Sequence, residues 1–132
     1  MGTTVSMVTL ARHMAFWGHV GDSRIYLYRD GEFKQISVDH TIVQVLLEKG
    51  KITEEEAMDH PQRHVLTRAV GVDENLVVDS GAFEVQPKDR ILICSDGLTS
   101  FIRTEREIIN DLFARVYENG AKDNITAILT TI

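Results

Sequence analysis

The chain has 132 residues, 43% of them hydrophobic, with only two prolines and a single cysteine. This length and composition fit one domain with a buried core and exclude a disordered segment. The formal charge of -6 and a pI near 5.3 argue against a nucleic-acid or anionic-membrane surface. Cys94 has no second cysteine to pair with, so no internal disulfide forms and a reducing compartment is expected. Arg12 and His13 interrupt the first apolar stretch too early for a signal peptide, and no run of about eighteen apolar residues occurs. The expectation is a soluble, cytoplasmic chain with no nucleic-acid and no membrane partner.

In chain order, "TTVSMVTLA" is rich in β-branched residues and follows Gly2, and "HMAFWGHV" is a second apolar run ending at Gly21. Both read as strands. "RIYLYRDGEFKQIS" is the clearest hairpin, because Asp30-Gly31 sits between two alternating runs and supplies the positive φ angles of a tight turn. Such short connections predict an antiparallel sheet.

The period then changes. In "DHTIVQVLLEKG", Asp39 is the expected N-cap, Gly50 the expected stop, and Ile42, Val43, Val45 and Leu46 the apolar face of a helix. "TEEEAMDHP" opens on a capping box, Thr53 with Glu56, and Pro61 limits this second helix. Residues 39–64 therefore read as a helical, flap-like insert within a single partial domain spanning 1–132. "HVLTRAVG" and "NLVVDSGAFEV" return to strand-like patterns, and "QPKDR" reads as a turn. "ILICS" is a continuous apolar run, as expected of a strand covered on both faces. The stretch from Thr104 to Glu118 is the strongest helix, with a Thr104–Glu107 capping box and Gly120 beyond it. "NITAILTTI" closes the chain as a β-branched strand. The fold class is α+β: antiparallel β-sheet layers flanked by helices.

Asp22 in "HVGDSR", Asp96 in "CSDGL" and Asp123 in "AKDNI" each stand where a strand begins or ends, beside Gly21, Gly97 or Asn124. Carboxylates exposed at strand ends can converge on a hard cation such as Mg²⁺ or Mn²⁺, which takes oxygen ligands and keeps several waters. Taken one at a time, an aspartate beside a glycine is equally the ordinary chemistry of a turn. The five histidines show no convincing His-x-x-x-His pair on a helix, Ser23 and Ser95 lack a nucleophile elbow, and Cys94 reads as packing. Arg24 reads as a structural residue of its turn and Trp17 as core.

The longer strings are more specific. "GHVGDSRIYLYRDGEFKQISVDHT", "HVLTRAVG", "DRILICSDGLT" and "DNITAILTTI" occur in an order that resembles the metal-dependent type 2C protein serine/threonine phosphatases, the bacterial branch in particular. The resemblance extends over nearly the whole chain. It implies a partial version of that family's αββα sandwich, and a phosphatase that hydrolyses phosphoserine and phosphothreonine on proteins. It also implies a centre of Mg²⁺ or Mn²⁺ whose water, made more acidic by the ions, attacks phosphorus in line. By resemblance Asp96 and Asp123 are ligands of the core centre, and Asp22 of a looser metal near the flap, to which Asp96 also contributes.

The chain departs from the family in two places. It begins at the family's "GTT" strand, so roughly the front two-fifths of an ordinary catalytic domain, with its own metal ligands and phosphate-holding arginine, has no counterpart here. The interval between Asp96 and Asp123 has room for one helix where the family usually places two. The alternative reading is a non-catalytic phosphatase-like binding or regulatory module. The expected partners are a phosphoprotein substrate, and a second copy of the chain or a complementing N-terminal segment covering open sheet.

Overall fold

A computed structural model describes residues 1–96 and 127–132, in two compact units. The first comprises Met1–Asp22 and Ser37–Glu84, the second Ser23–Ile36 and Val85–Ile132. No helix among the described residues is long and apolar enough to cross a membrane.

The first unit holds a three-stranded antiparallel sheet in the order β1-β2-β5. Its strands are β1 (Val5–Ala11), β2 (Met14–Val20) and β5 (Asp79–Glu84). Arg12, at φ 56°, turns the chain between the first two. The register pairs Met7 with Gly18 and Thr9 with Phe16, while Gly18 pairs with Ser80 and Phe16 with Ala82. Alternation therefore puts Val5, Met7, Phe16 and Ala82 on one face, and Ala15, Trp17, His19 and Asp79 on the other. The first face is apolar yet open: Met7 is 56% and Phe16 48% exposed. The second carries fully buried Ala15 and His19.

This unit also contains helices α1 (Ile42–Glu48) and α2 (Glu54–Met58). The capping box on α2 forms as the sequence predicts, with Thr53 and Glu56 each accepting from the other's backbone N–H. The start of α1 differs. Its N-cap is Thr41, whose hydroxyl accepts from Gln44 N–H, and not Asp39. His40 just before it donates its N–H to Gly21 and accepts from Thr67 N–H, and those two bonds hold the chain extended until Thr41. "HVLTRAVG" forms no strand. Its strand-type pairing among the described residues is limited to the single bridges Thr41–Leu66 and Thr3–Val70, and further hydrogen bonds from Thr67 N–H to His40 and from Arg68 to Asp79 hold it in place. Trp17 is half-buried rather than core, lying over Gly81, where a Cβ would come within 2.8 Å of the indole Nε1.

The second unit holds a four-stranded antiparallel sheet in the order β4-β3-β6-β7. The strands are β3 (Arg24–Arg29), β4 (Glu32–Gln35), β6 (Arg90–Cys94) and β7 (Ala127–Thr131). The β3–β4 hairpin turns at Asp30 (φ 51°) and Gly31 (φ 81°), the doubly positive geometry expected of Asp-Gly. β6 is central and buried on both faces: Ile91 on one, Leu92 and Cys94 on the other. Ile25 and Leu27 of β3 share the Ile91 face. Tyr26 and Phe33 pack ring to ring at 4.7 Å. Asp89, 2% exposed, receives two hydrogen bonds from Arg29 at 3.0 and 2.7 Å, and a third from Gln86 N–H. The Arg29 hydrogen bonds outweigh the cost of burial and hold the Asp89 carboxyl below its usual range. The α+β class expected from the sequence holds, although the early strands divide between two sheets.

Candidate functional site

Asp22 follows β2 through Gly21. That glycine sits at φ 111°, and a Cβ on it would lie 2.3 Å from Thr4 Cγ2. Both the backbone shape and the close approach therefore exclude a side chain. The result is a sharp turn that ends the strand and presents the aspartate. Asp96 follows β6 by way of Ser95, carried by the most buried strand of the second unit. Asp123 and the helix predicted over Thr104–Glu118 lie outside the described residues. Asp22 and Asp96 belong to different units, and each follows its strand after one intervening residue. Among the described residues, no group of three His, Cys, Asp or Glu side chains gathers as a metal cage. In donor type each carboxylate by itself fits a hard cation that retains most of its water.

A second constellation escaped the sequence reading. His40, 5% exposed, accepts Gly21 N–H on Nδ1 at 3.0 Å. A ring nitrogen that accepts carries no proton, so the proton is on Nε2, which donates to Asp79 Oδ2 at 2.8 Å. Arg68 Nη1 donates to the other Asp79 oxygen at 2.9 Å. The 3.3 Å approach of Arg68 Nη1 to His40 Nε2 sets two donors side by side and is not a hydrogen bond. His40 and Arg68 together hold the Asp79 carboxyl below its usual range, the His40 hydrogen bond contributing most.

The ring of His19 lies 4.9 Å from that of His40, and His19 Nδ1 meets Ser6 Oγ at 2.8 Å. His19 Nε2 is buried without a hydrogen-bond partner among the described residues. Burial first, and the neighbouring His40 second, push the pKa of His19 down. One sequence signal pointed here: the alternation of β2 turns His19 to the same face as buried Ala15. Its partners could not be found that way, because His40 and Asp79 are 39 residues apart. Arg24 donates to the Tyr26 hydroxyl at 3.0 Å, in keeping with a structural role.

Antiparallel sheets with aspartates just beyond the strand ends define an α+β fold with candidate cation ligands. Comparison with known proteins gives the family. The family model described as Protein phosphatase 2C matches residues 1–131. The chain is 38% identical to the serine/threonine phosphatase stp of Listeria welshimeri, over 98% of this chain and 56% of that protein. Among solved structures, the serine/threonine phosphatase Stp1 of Staphylococcus aureus superposes with a TM-score of 0.89 at 32% identity, covering 99% of this chain and 56% of that one. The catalytic domain of the phosphatase PstP in complex with two manganese ions superposes with a TM-score of 0.82 at 33% identity, covering 99% of this chain and 59% of that one. The chain belongs to the protein phosphatase 2C family, and is related to its bacterial serine/threonine phosphatases. It spans about half the length of the curated relatives it matches.

Proposed function

We propose that this chain is the C-terminal part of the catalytic domain of a metal-dependent protein serine/threonine phosphatase, working in the cytoplasm, with residues 39–64 as its flap. Its substrates are phosphoserine and phosphothreonine on proteins. Asp22, Asp96 and Asp123 are the cation ligands, and Mg²⁺ or Mn²⁺ is the cofactor. The bound cation supplies Lewis-acid activation of water for in-line attack on phosphorus. An oxygen–phosphorus bond forms to water, the bond to the seryl or threonyl oxygen breaks, and a proton passes to that oxygen, giving hydroxyl and inorganic phosphate.

The observation that carries this reading is the position of Asp96 just beyond the buried strand β6, in a chain that matches the family over residues 1–131. Manganese in the PstP structure supports the choice of cation class. The direct experiment is Mn²⁺-dependent hydrolysis of a phosphothreonine peptide by the chain, beside an Asp96→Asn control. Turnover above the control supports catalysis by this chain, and equal rates reject it.

A second reading, a non-catalytic binding module, is favoured by one observation: the chain covers only 56% of the length of a phosphatase it matches. Two-metal hydrolysis needs ions about 3.5–4 Å apart held by shared ligands. The same assay separates the readings.

The open face of the β1-β2-β5 sheet bears on partners. Val5, Met7 and Phe16 point outward there, and an apolar patch of more than a few hundred Å² usually finds a cover. We place a second copy of the chain on this face, related by a two-fold axis. Sedimentation at micromolar concentration tests it. A dimer supports the second copy, whereas a monomer rejects it and leaves a complementing N-terminal segment as the cover.

A further inference from the structure

We infer that His40 is the positioning residue for Asp22, fixing the direction of its carboxylate through the Gly21 peptide groups. The inference rests on the reading of Asp22 as a cation ligand. Gly21 N–H donates to His40 Nδ1, and Gly21 C=O accepts His40 N–H at 2.9 Å. Both polar groups of the residue before Asp22 are thus held by a single residue. Gly21 itself has no freedom to take a side chain, since Thr4 fills the space a Cβ would need. The turn is therefore determined from two sides, by packing against Thr4 and by hydrogen bonds to His40.

His40 is in turn fixed from behind. Its Nε2–H is held by Asp79 on β5, and Arg68 holds Asp79. A carboxylate on Nε2 sets the tautomer that leaves Nδ1 bare, which is the only form able to accept Gly21 N–H. The His19 ring, 4.9 Å away and inclined at 39°, limits the movement of the His40 ring. Both ring nitrogens are engaged, so no lone pair remains for a metal, and His40 acts on the site only through the turn. Arg68, Asp79 and His40 form a relay from β5 to the strand end that bears Asp22.

The test is nuclear magnetic resonance on the whole chain, with Mn²⁺ as the probe. In the wild type, the ring-nitrogen shifts of His40 show a proton on Nε2, and a proton on Nδ1 overturns the inference. In His40→Asn, the side-chain oxygen reproduces the acceptor at the Nδ1 position, so Gly21 amide exchange and Mn²⁺ affinity stay within about threefold of wild type. In His40→Leu, which removes the acceptor, Gly21 exchange rises and Mn²⁺ affinity falls by about tenfold. Equal exchange and affinity in all three proteins overturns the positioning role.

If His40→Leu does not fold, Asp79→Ala decides. A shifted His40 tautomer with faster Gly21 exchange supports the relay, and unchanged signals reject it. Mn²⁺ broadening at Asp22 in the wild type tests the ligand reading separately. Its absence rejects Asp22 as a ligand and, with it, the positioning of a ligand, even where the exchange data still show His40 holding the turn.

Discussion

The two sheets bury different chemistries. The β4-β3-β6-β7 sheet buries hydrocarbon on both faces of its central strand, with Ile25, Ile91 and Leu92 almost fully enclosed. The β1-β2-β5 sheet adds a polar group. Beside Ala15 and Val20 it buries His19, whose ring lies 4.9 Å from that of His40, while Met7 and Phe16 face outward. Hydrocarbon packing is strong and indifferent to direction, and suits a strand that must hold Asp96 still. Hydrogen bonds are weaker in net terms but directional, and suit a turn whose shape must be specified. Each candidate ligand is thus mounted by a different physical device.

Truncating the apolar region gives the largest effect. Leu92→Ala should cost about 3 kcal/mol in urea unfolding, from lost transfer energy plus the cavity left behind. A loss below about 1 kcal/mol would mean that β6 is not the mainstay of its sheet.

That region contains one buried polar exception, and removing it comes next. Asp89→Ala leaves Arg29 and the Gln86 N–H without their acceptor, at about 2 kcal/mol, because Arg29 at 31% exposure can still reach water. The same pair sets an acid limit. The Asp89 carboxyl is held below its ordinary value of 3.8, so its contribution is complete above that value. It is lost as pH falls through the lower, folded value. Melting curves of wild type and Asp89→Ala should converge as the pH is lowered into that range.

The polar region should titrate earlier. The pKa of His19 is pushed below its ordinary 6.5, so the unfolded chain takes up a proton that the folded chain refuses. The His19 contribution is therefore complete above that value and declines as pH falls from it towards the folded pKa. A His19→Gln variant, if it folds, should lose this slope. An unchanged slope would place the titration elsewhere.

The smallest effect on stability belongs to the open face. Phe16→Ser should cost less than about 1 kcal/mol, since Phe16 is 48% exposed, yet it should weaken self-association in sedimentation. A large loss of stability with association intact would show that this face is packed within the chain.

Much of this was legible because it is local. Asp30-Gly31 specifies its hairpin, Thr53 with Glu56 specifies a helix start, and the unbroken apolar run of "ILICS" specifies a doubly covered strand. The errors are places where distant contacts override local preference. Asp39 is a good cap by type, but His40 is tied to Gly21 and Thr67, and the cap of α1 falls on Thr41. "HVLTRAVG" alternates like a strand, but it has only single bridges to pair with. The His40–Asp79–Arg68 relay joins a loop to a strand far along the chain, and no periodicity encodes that meeting. For the candidate site, the sequence singles out the aspartates, whereas the His40–Asp79–Arg68 contacts beside the Gly21 turn appear only in the fold.

The account stands most directly on Asp96 as a cation ligand. Calorimetric titration of the whole chain with Mn²⁺ measures this without any substrate. The account predicts saturable binding that weakens about tenfold in Asp96→Asn, the loss expected for one carboxylate of a hydrated divalent ion. Equal affinity in the wild type and Asp96→Asn, or no binding by either, would contradict it.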